Sequence, residues 1–505
     1  MVTTRSSKPS EGTQTKPRQA RKRAGREVER LAVDGTERLG GSQTVPEHVS
    51  TGYKAGGARW ADVVPDDRAS RKRKRADDPA EPAGRPPRLA RKRRRAHQPA
   101  QPDDEAFLRD ARAQLKGIKR DNTRKVLRFL RDIQSPSAEH TRRQYTSGEQ
   151  FDAETTDAFV LSAAHARALL ASTEPIDAPV FVANGANTAS ILETDSAQRP
   201  IDQIFDWFAD PSEEFEGHCG DTPRSPPTLD EIRERFRTNG RVVAGSPWNF
   251  PDMAFPFHHT GMPTFVQQPC CNLLRDVIRF LLDAVGDTLC HADCPNAKTN
   301  GEGACCDEHH LTVSEYAEIQ QAWRQWQGTV MLAEAGAVTA PHLDQWGFGT
   351  WLSCVEGEMG FGYLPRPSVD DARAVTNGTI KPDDRWRYRV LRAGDALYMS
   401  SGTPHLVFRL PDGKQTLGLA GHVVRRVDAQ RWVELLQMEA TEAAAGGDGL
   451  VAGFREAVRG LTVGIRHAYD KMMRQRHAEE LYGGREQVRR VGKALPRLER
   501  VAREL

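Results

Sequence analysis

The first hundred residues of the chain show no apolar rhythm, only isolated valines and leucines among Arg, Lys, Pro, Gly, Ala and Asp. A segment of this kind cannot bury enough apolar surface to offset its ordering entropy, so 1–104 is expected to be a disordered basic tail. Apolar residues become frequent from about Ala106, and a folded body is expected from near residue 150. Three helices then have legible ends. Thr228-Leu-Asp-Glu231 has the spacing of a capping box and predicts a helix to about Thr238. Leu274, Val277, Ile278, Leu281 and Leu282 recur at helical spacing between Asn272 and Val285, ahead of Gly286. Thr312-Val-Ser-Glu315 repeats the capping pattern and predicts a helix through about Trp326. From Gly328 the texture changes to short β-type runs broken by Gly and Pro: Thr329–Ala333, Gly349–Glu356, Gly360–Leu364, Trp386–Leu391, Ala396–Met399, His405–Leu410 and Thr416–Val424. Seven or eight short strands with turns between them imply a sandwich or a barrel. Residues past 425 return to helical character, ending in a basic amphipathic stretch, Arg485–Leu505. The expected organisation is therefore a basic tail (1–104), a mostly helical accessory region (105–327), a β-rich core (328–435) and a helical basic extension (436–505).

Charge divides the chain in the same place. Residues 1–100 hold 25 Lys and Arg against 12 Asp and Glu, an excess of 13 in a 505-residue chain whose net charge is only +3, so the body is acidic. Two runs stand out, Arg71-Lys-Arg-Lys-Arg75 and Arg91-Lys-Arg-Arg-Arg95. Such runs point to the nuclear import machinery as a partner and to the nucleus as location, with non-specific nucleic-acid contact as the alternative and a merely solvated tail as the bland one. No apolar run approaches the roughly 18–20 residues that span a bilayer, and the start of the chain has no apolar stretch of the signal-peptide kind. Eight cysteines in 505 residues do not make a disulfide framework. Membrane, secreted and fibrous classes are set aside.

The chemistry concentrates in Thr339-Ala-Pro-His342-Leu-Asp344 and Gly402-Thr-Pro-His405. Side chains two apart on a strand share a face, so His342 and Asp344 can both point into a barrel. A second histidine from an opposing strand completes a 2-His-1-carboxylate set, which leaves positions open on a non-haem Fe(II). The 61 residues from Asp344 to His405 leave room for the intervening strands. The same tripeptide pattern recurs at His291-Ala-Asp293 and His477-Ala-Glu479, but neither heads a β-rich region. Position, more than the tripeptide, makes 342/344/405 the candidate site.

Over roughly residues 179–435 the sequence resembles the JmjC-domain oxygenases, in particular those of filamentous fungi. The stretches that carry the resemblance are Thr339 to Trp351, Val355 to Tyr363, Trp386 to Leu391, Gly402 to Arg409 and Thr416 to His422. Upstream, Arg199 to Phe208 and Ser246-Pro-Trp-Asn249 are similar to the accessory region of those proteins. The resemblance implies an α+β fold built on a double-stranded β-helix (a JmjC or cupin-like barrel), with Fe(II) as cofactor and 2-oxoglutarate and O2 as co-substrates. It implies His342, Asp344 and His405 as iron ligands and Thr339 as a contact of the 2-oxoglutarate carboxylate. The implied reaction is hydroxylation or demethylation of a protein substrate, a histone among the candidates. The alternative is a catalytically silent barrel serving as a chromatin or protein interaction module.

One position departs from the family pattern. Where many members carry a lysine for the distal carboxylate of 2-oxoglutarate, this chain has Met359. A dicarboxylate in a dry barrel needs a cation. Arg409 shares the face of His405 and Val407, with its Cα about 13 Å from that of His405 at roughly 3.3 Å per residue, and its planar fork suits a carboxylate. An outward, solvated Arg409 is the competing reading, and Lys414 and Arg387 are the reserves. Trp351 and Tyr363 are candidates to line the co-substrate pocket, against plain barrel packing. Separately, Cys290, Cys294, Cys305, Cys306, His309 and His310 form an insert whose soft ligands could clip a Zn2+, although the spacing matches no standard finger.

Overall fold

The computed structural model describes residues 104–193, 196–219, 226–237, 247–254, 261–283, 319–320, 322–323, 325–445, 454–473 and 482–505. The chain divides into two units, Met1–Ala96 and His97–Leu505, and every described residue belongs to the second. Both basic runs and the whole Cys290–His310 insert lie outside the described residues, as do Thr312–Glu315.

The fold is mixed α and β. Its helices are α1 (Asp104–Leu115), α2 (Asp121–Asp132), α3 (Ala163–Ala171), α4 (Pro200–Phe205), α5 (Leu229–Arg237), α6 (Leu273–Asp283), α7 (Val369–Thr376), α8 (Ala429–Ala444), α9 (Phe454–Met473) and α10 (Arg485–Glu504). The strands are β1 (Thr141–Arg142), β2 (Ala158–Leu161), β3 (Val180–Val182), β4 (His218–Cys219), β5 (Trp248–Ala254), β6 (Thr329–Ala333), β7 (Val338–His342), β8 (Gly349–Glu356), β9 (Glu358–Tyr363), β10 (Arg387–Arg392), β11 (Ala396–Met399), β12 (His405–Phe408) and β13 (Thr416–Val423). They form a nine-stranded sheet, β1-β2-β3-β11-β8-β13-β6-β5-β4, and a four-stranded sheet, β10-β9-β12-β7. From β6 to β13 the chain changes sheet at every step except β9 to β10, and every pairing within that run is antiparallel. No helix of the described residues is long and apolar enough to cross a membrane.

Strand periodicity decides what faces what. On β8, Leu352 and Cys354 join a core with Met359, Phe361, Tyr363, Leu397, Met399 and Val407. The alternate residues Trp351 and Val355 pack the other way, against the accessory region. Two glycines fix the β8–β9–β12 geometry. Gly357 turns the chain at φ +79°, and at Gly360 a Cβ would stand 2.2 Å from the Phe408 ring that lies across it. The outer side of the small sheet is covered by α1 and α2, which bring Phe107, Leu108, Val126, Phe129 and Leu130 against Trp386, Tyr388 and Phe408. A third core unites α6, α8, α9 and α10 with Phe348 and Val424.

Several expectations are corrected here. The body starts at α1 rather than near residue 150, because the apolar stripe of these two Arg-rich helices seals the small sheet. Between the six described helices of the accessory region stand five strands the sequence did not signal, β1 to β5, which extend the large sheet and are each two to seven residues long. The 328–435 core holds eight strands. The capping box at Thr228 forms in full, with the Glu231 amide donating to Thr228 Oγ1 and the Thr228 amide to Glu231 Oε2. The final basic stretch is an ordered helix, seated through Val488, Val491, Leu495 and Leu498.

Candidate metal centre

The last residue of β7 and the first of β12 are cross-strand partners, and both are histidines: His342 opposite His405, ring centroids 4.1 Å apart. Asp344 follows two residues later, where the strand gives way to a tight turn over Gln345–Gly347. One ligand atom from each of the three residues lies within 4.8 Å of the others. His405 Nε2 stands 3.9 Å from Asp344 Oδ1.

The surroundings prepare each group for a metal. His342 Nδ1 donates to the Ala340 carbonyl at 2.9 Å, and His405 Nδ1 donates to the Thr403 carbonyl at 3.0 Å. A carbonyl can only accept, so the hydrogen sits on Nδ1 and the Nε2 lone pair is left free. Burial, reinforced by the neighbouring His405, pushes His342 down to about 4, so it is neutral at physiological pH. Burial would raise the Asp344 carboxyl, but His405, His422 and His342 together with a hydroxyl bond outweigh it and hold the group below its usual range. That hydroxyl is Thr350, which donates to Asp344 Oδ2 at 2.5 Å and stands 3.0 Å from His422 Nδ1. His422 is thus tied through Thr350 to the carboxylate. Phe361 stacks on the His405 ring at 5.4 Å.

The turn after Asp344 is clamped from α8. Trp346 adopts a left-handed conformation (φ 59°, ψ 22°), which costs free energy in a non-glycine residue unless its surroundings enforce it. The Trp346 and Gly347 amides both donate to the buried Glu439 carboxylate, at 2.6 and 3.1 Å, and Trp432 Nε1 donates to the Trp346 carbonyl at 2.9 Å. Burial, against the two amide bonds and with repulsion from Asp344, pushes Glu439 up to about 8.

Deeper between the sheets lies the second charged feature. Arg409 is buried, donates Nε to Thr416 Oγ1 at 2.6 Å, and leaves Nη1 with no partner. Among the described residues it faces no carboxylate within ion-pair distance. Burial pushes its guanidinium down to about 10. In the β9–β12 register His405 faces Tyr363, Val407 faces Phe361 and Phe408 faces Gly360; Arg409 follows directly on the end of β12. Thr339, nearer the metal end, is paired with Val407 and accepts from Asn249 Nδ2 at 3.2 Å.

The other candidates fall differently. Trp351 does not line this interior: it lies on the opposite face of β8, fully buried in the accessory-side core. Tyr363 does face inward, packed on Phe361 and Phe181, with its hydroxyl buried and unpartnered. Arg387 is committed to the buried Asp157 at 2.6 Å, and Lys414 is exposed in a turn. Sequence reasoning missed Thr350, Glu439 and Asp252. Asp252, on β5, is exposed, and Asp344 nearby repels its carboxylate while His342 attracts it. Only Thr350 left a usable trace, as an inward-facing polar residue on a strand.

No family model matches the chain, and no curated protein matches it. Among solved structures, a similarity is found to the crystal structure of Drosophila melanogaster CENP-C bound to CAL1, at 15% identity, over 19% of this chain and 62% of that one, with a TM-score of 0.14. A likeness this slight bears on neither fold nor function.

Proposed function

We propose that the chain is an Fe(II)- and 2-oxoglutarate-dependent dioxygenase of the JmjC type, built on a double-stranded β-helix formed by β6 to β13. The strand order supports the fold: β6-β13-β8-β11 of one sheet faces β7-β12-β9-β10 of the other. The donor set supports the metal, since two neutral imidazoles with free Nε2 atoms and one carboxylate suit non-haem Fe(II) and leave it open positions. The observation that carries the reading beyond metal binding is Arg409. An unpaired guanidinium held away from water is costly, and it stands in the same interior as the triad, where a carboxylate would relieve it.

In this reading bound Fe(II) supplies O2 activation coupled to decarboxylation of 2-oxoglutarate to succinate, ending in oxidation of a substrate C–H bond. The protein's own groups do the rest. His342, Asp344 and His405 hold the ion. Arg409 and Thr416 take the distal carboxylate, Thr339 approaches the co-substrate from β7, and Phe361, Tyr363 and Val407 keep water out. The exposed Asp252 beside the triad suits a substrate carrying positive charge, as a basic protein segment does. The basic runs of the N-terminal hundred residues fit nuclear import of such an enzyme.

The test is turnover. Iron-loaded protein incubated with 2-oxoglutarate and O2 should release succinate above a metal-free control. Tight 2-oxoglutarate binding without any succinate, with basic peptides present, would leave the interaction-module reading in its place.

A further inference from the structure

Far in sequence from the triad, Pro269–Cys271 forms a single 3-10 turn with two adjacent thiols, Sγ to Sγ 3.9 Å. Their settings differ. Cys270 is half-buried, with its Sγ 3.3 Å from the Leu170 carbonyl, whereas Cys271 is 2% exposed. The groups facing the pair are Arg425 and Arg426 on the cationic side, Asp428 on the anionic side, and the phenol of Tyr398. Arg425 is wholly buried, its fork spread over the Leu170, Ser172 and Glu174 carbonyls and Asp428. A thiol donor on one side and guanidinium charge on the other is a setting that favours thiolate on the accessible sulfur. The adjacent Cys271 and then the two arginines push Cys270 down against its burial. Cys271 is pushed up by the same bond.

We propose that Cys270 and Cys271 are a dithiol modification site, oxidised by hydroperoxides, with Cys270 the attacking sulfur and Cys271 the resolving one. The Cys270 thiolate attacks the distal oxygen of ROOH: an S–O bond forms, the O–O bond breaks, sulfur loses two electrons and the peroxide leaves as alkoxide. Cys271 then gives up its proton, its sulfur displaces hydroxide from Cys270, and an S–S bond forms. The net change is two thiols and ROOH to one disulfide, ROH and water. The thiols must close from 3.9 Å to about 2.05 Å, so the turn rewinds when the bond forms. What sits on that turn is the end of β13: the Leu273 amide donates to the Val424 carbonyl at 3.1 Å, and Asn272 pairs with Val424.

The experiment treats the full-length chain with hydrogen peroxide and a cyclic 1,3-diketone that traps sulfenic acid, followed by peptide mass spectrometry. Wild type should yield a peptide containing both cysteines that is two hydrogens lighter and resists alkylation. Cys271→Ser, which keeps a hydroxyl donor beside Cys270, should accumulate the diketone adduct on Cys270. Cys270→Ser should leave Cys271 reduced at the same dose. Cys354 is the internal reference, buried and pushed up to about 12. Cys270 should react at least about tenfold faster than Cys354, with hydrogen peroxide and with iodoacetamide alike. An adduct on Cys270 no faster than on Cys354, or a disulfide from Cys270 to any cysteine but Cys271, overturns the proposal.

Discussion

The two ends of the space between the sheets are built on opposite principles. At the metal end the three candidate ligands and the turn after Asp344 are held by partners inside the protein. Each histidine spends Nδ1 on a carbonyl, Asp344 takes the Thr350 hydroxyl, Thr350 meets His422, and Glu439 takes the two amides that follow Asp344. At the Arg409 end the account is left open, with one hydrogen bond to Thr416 and a nitrogen facing nothing. A self-satisfied cluster holds its shape before its ligand arrives. An unsatisfied cation instead makes the folded state wait for an anion. The first end is preorganised; the second is selective.

The comparison can be broken most severely at the metal end. His342→Ala or Asp344→Ala should abolish stoichiometric Fe(II) binding, and with it any succinate release, because each variant removes one of the three donors that lie within reach of a common ion. Metal analysis after desalting decides it, and wild-type iron content in either variant would refute the site. Next in size is the open end. Arg409→Ala should weaken 2-oxoglutarate binding by roughly a hundredfold or more, from a loss of about 3–5 kcal/mol, while iron content stays. Arg409→Lys should recover part of it. Arg409→Met sharpens the contrast: it should cost the same affinity yet raise the stability of the co-substrate-free protein by roughly 1–3 kcal/mol, since an unpaired buried cation is removed. A calorimetric Tm below wild type would show that Arg409 has a partner at rest.

Smaller effects probe the support of the metal end. Thr350→Val removes the hydroxyl that joins Asp344 to His422 at nearly constant volume, and metal affinity should fall about 10- to 100-fold, measured by competition with a chelator. Glu439 is read through pH instead. Its folded carboxyl is raised to about 8 from an ordinary 4.5. The protonated form is therefore favoured by folding, and stability falls as pH rises from about 4.5 to about 8, then levels off. Glu439→Gln should flatten that part of the metal-free stability profile. An unchanged slope in denaturant titrations across the window would assign the pH dependence elsewhere.

Much of this could be read from the chain, and the misses have separate physical causes. The two histidines were legible because strand periodicity says which residues share a face; Asp344 and Arg409 lie just past the ends of β7 and β12, where that rule was extrapolated. The same rule, applied to Trp351, would have excluded it, since it is odd where the inward residues of β8 are even. Helices α1 and α2 were hidden because Arg and Lys crowd their apolar stripe. Strands β1 to β4 are two to four residues long, too short for alternation to register. Glu439 left no mark at all: in sequence it is one more acid in a helix, and only the packing of α8 over the turn turns it inward.

That packing sets where the functional unit ends. A boundary at residue 435 follows the end of the β-rich texture, yet it cuts α8 midway and leaves Glu439 on the far side. A fragment ending there would carry all three ligands, the arginine and every strand of both sheets from β6 onward, and still lack the brace on the turn that Asp344 opens. Deletion or proteolysis within 436–444 would therefore disturb the turn after Asp344 from outside the two sheets. Sequence changes along α8 and along the ligand strands are then under one shared constraint.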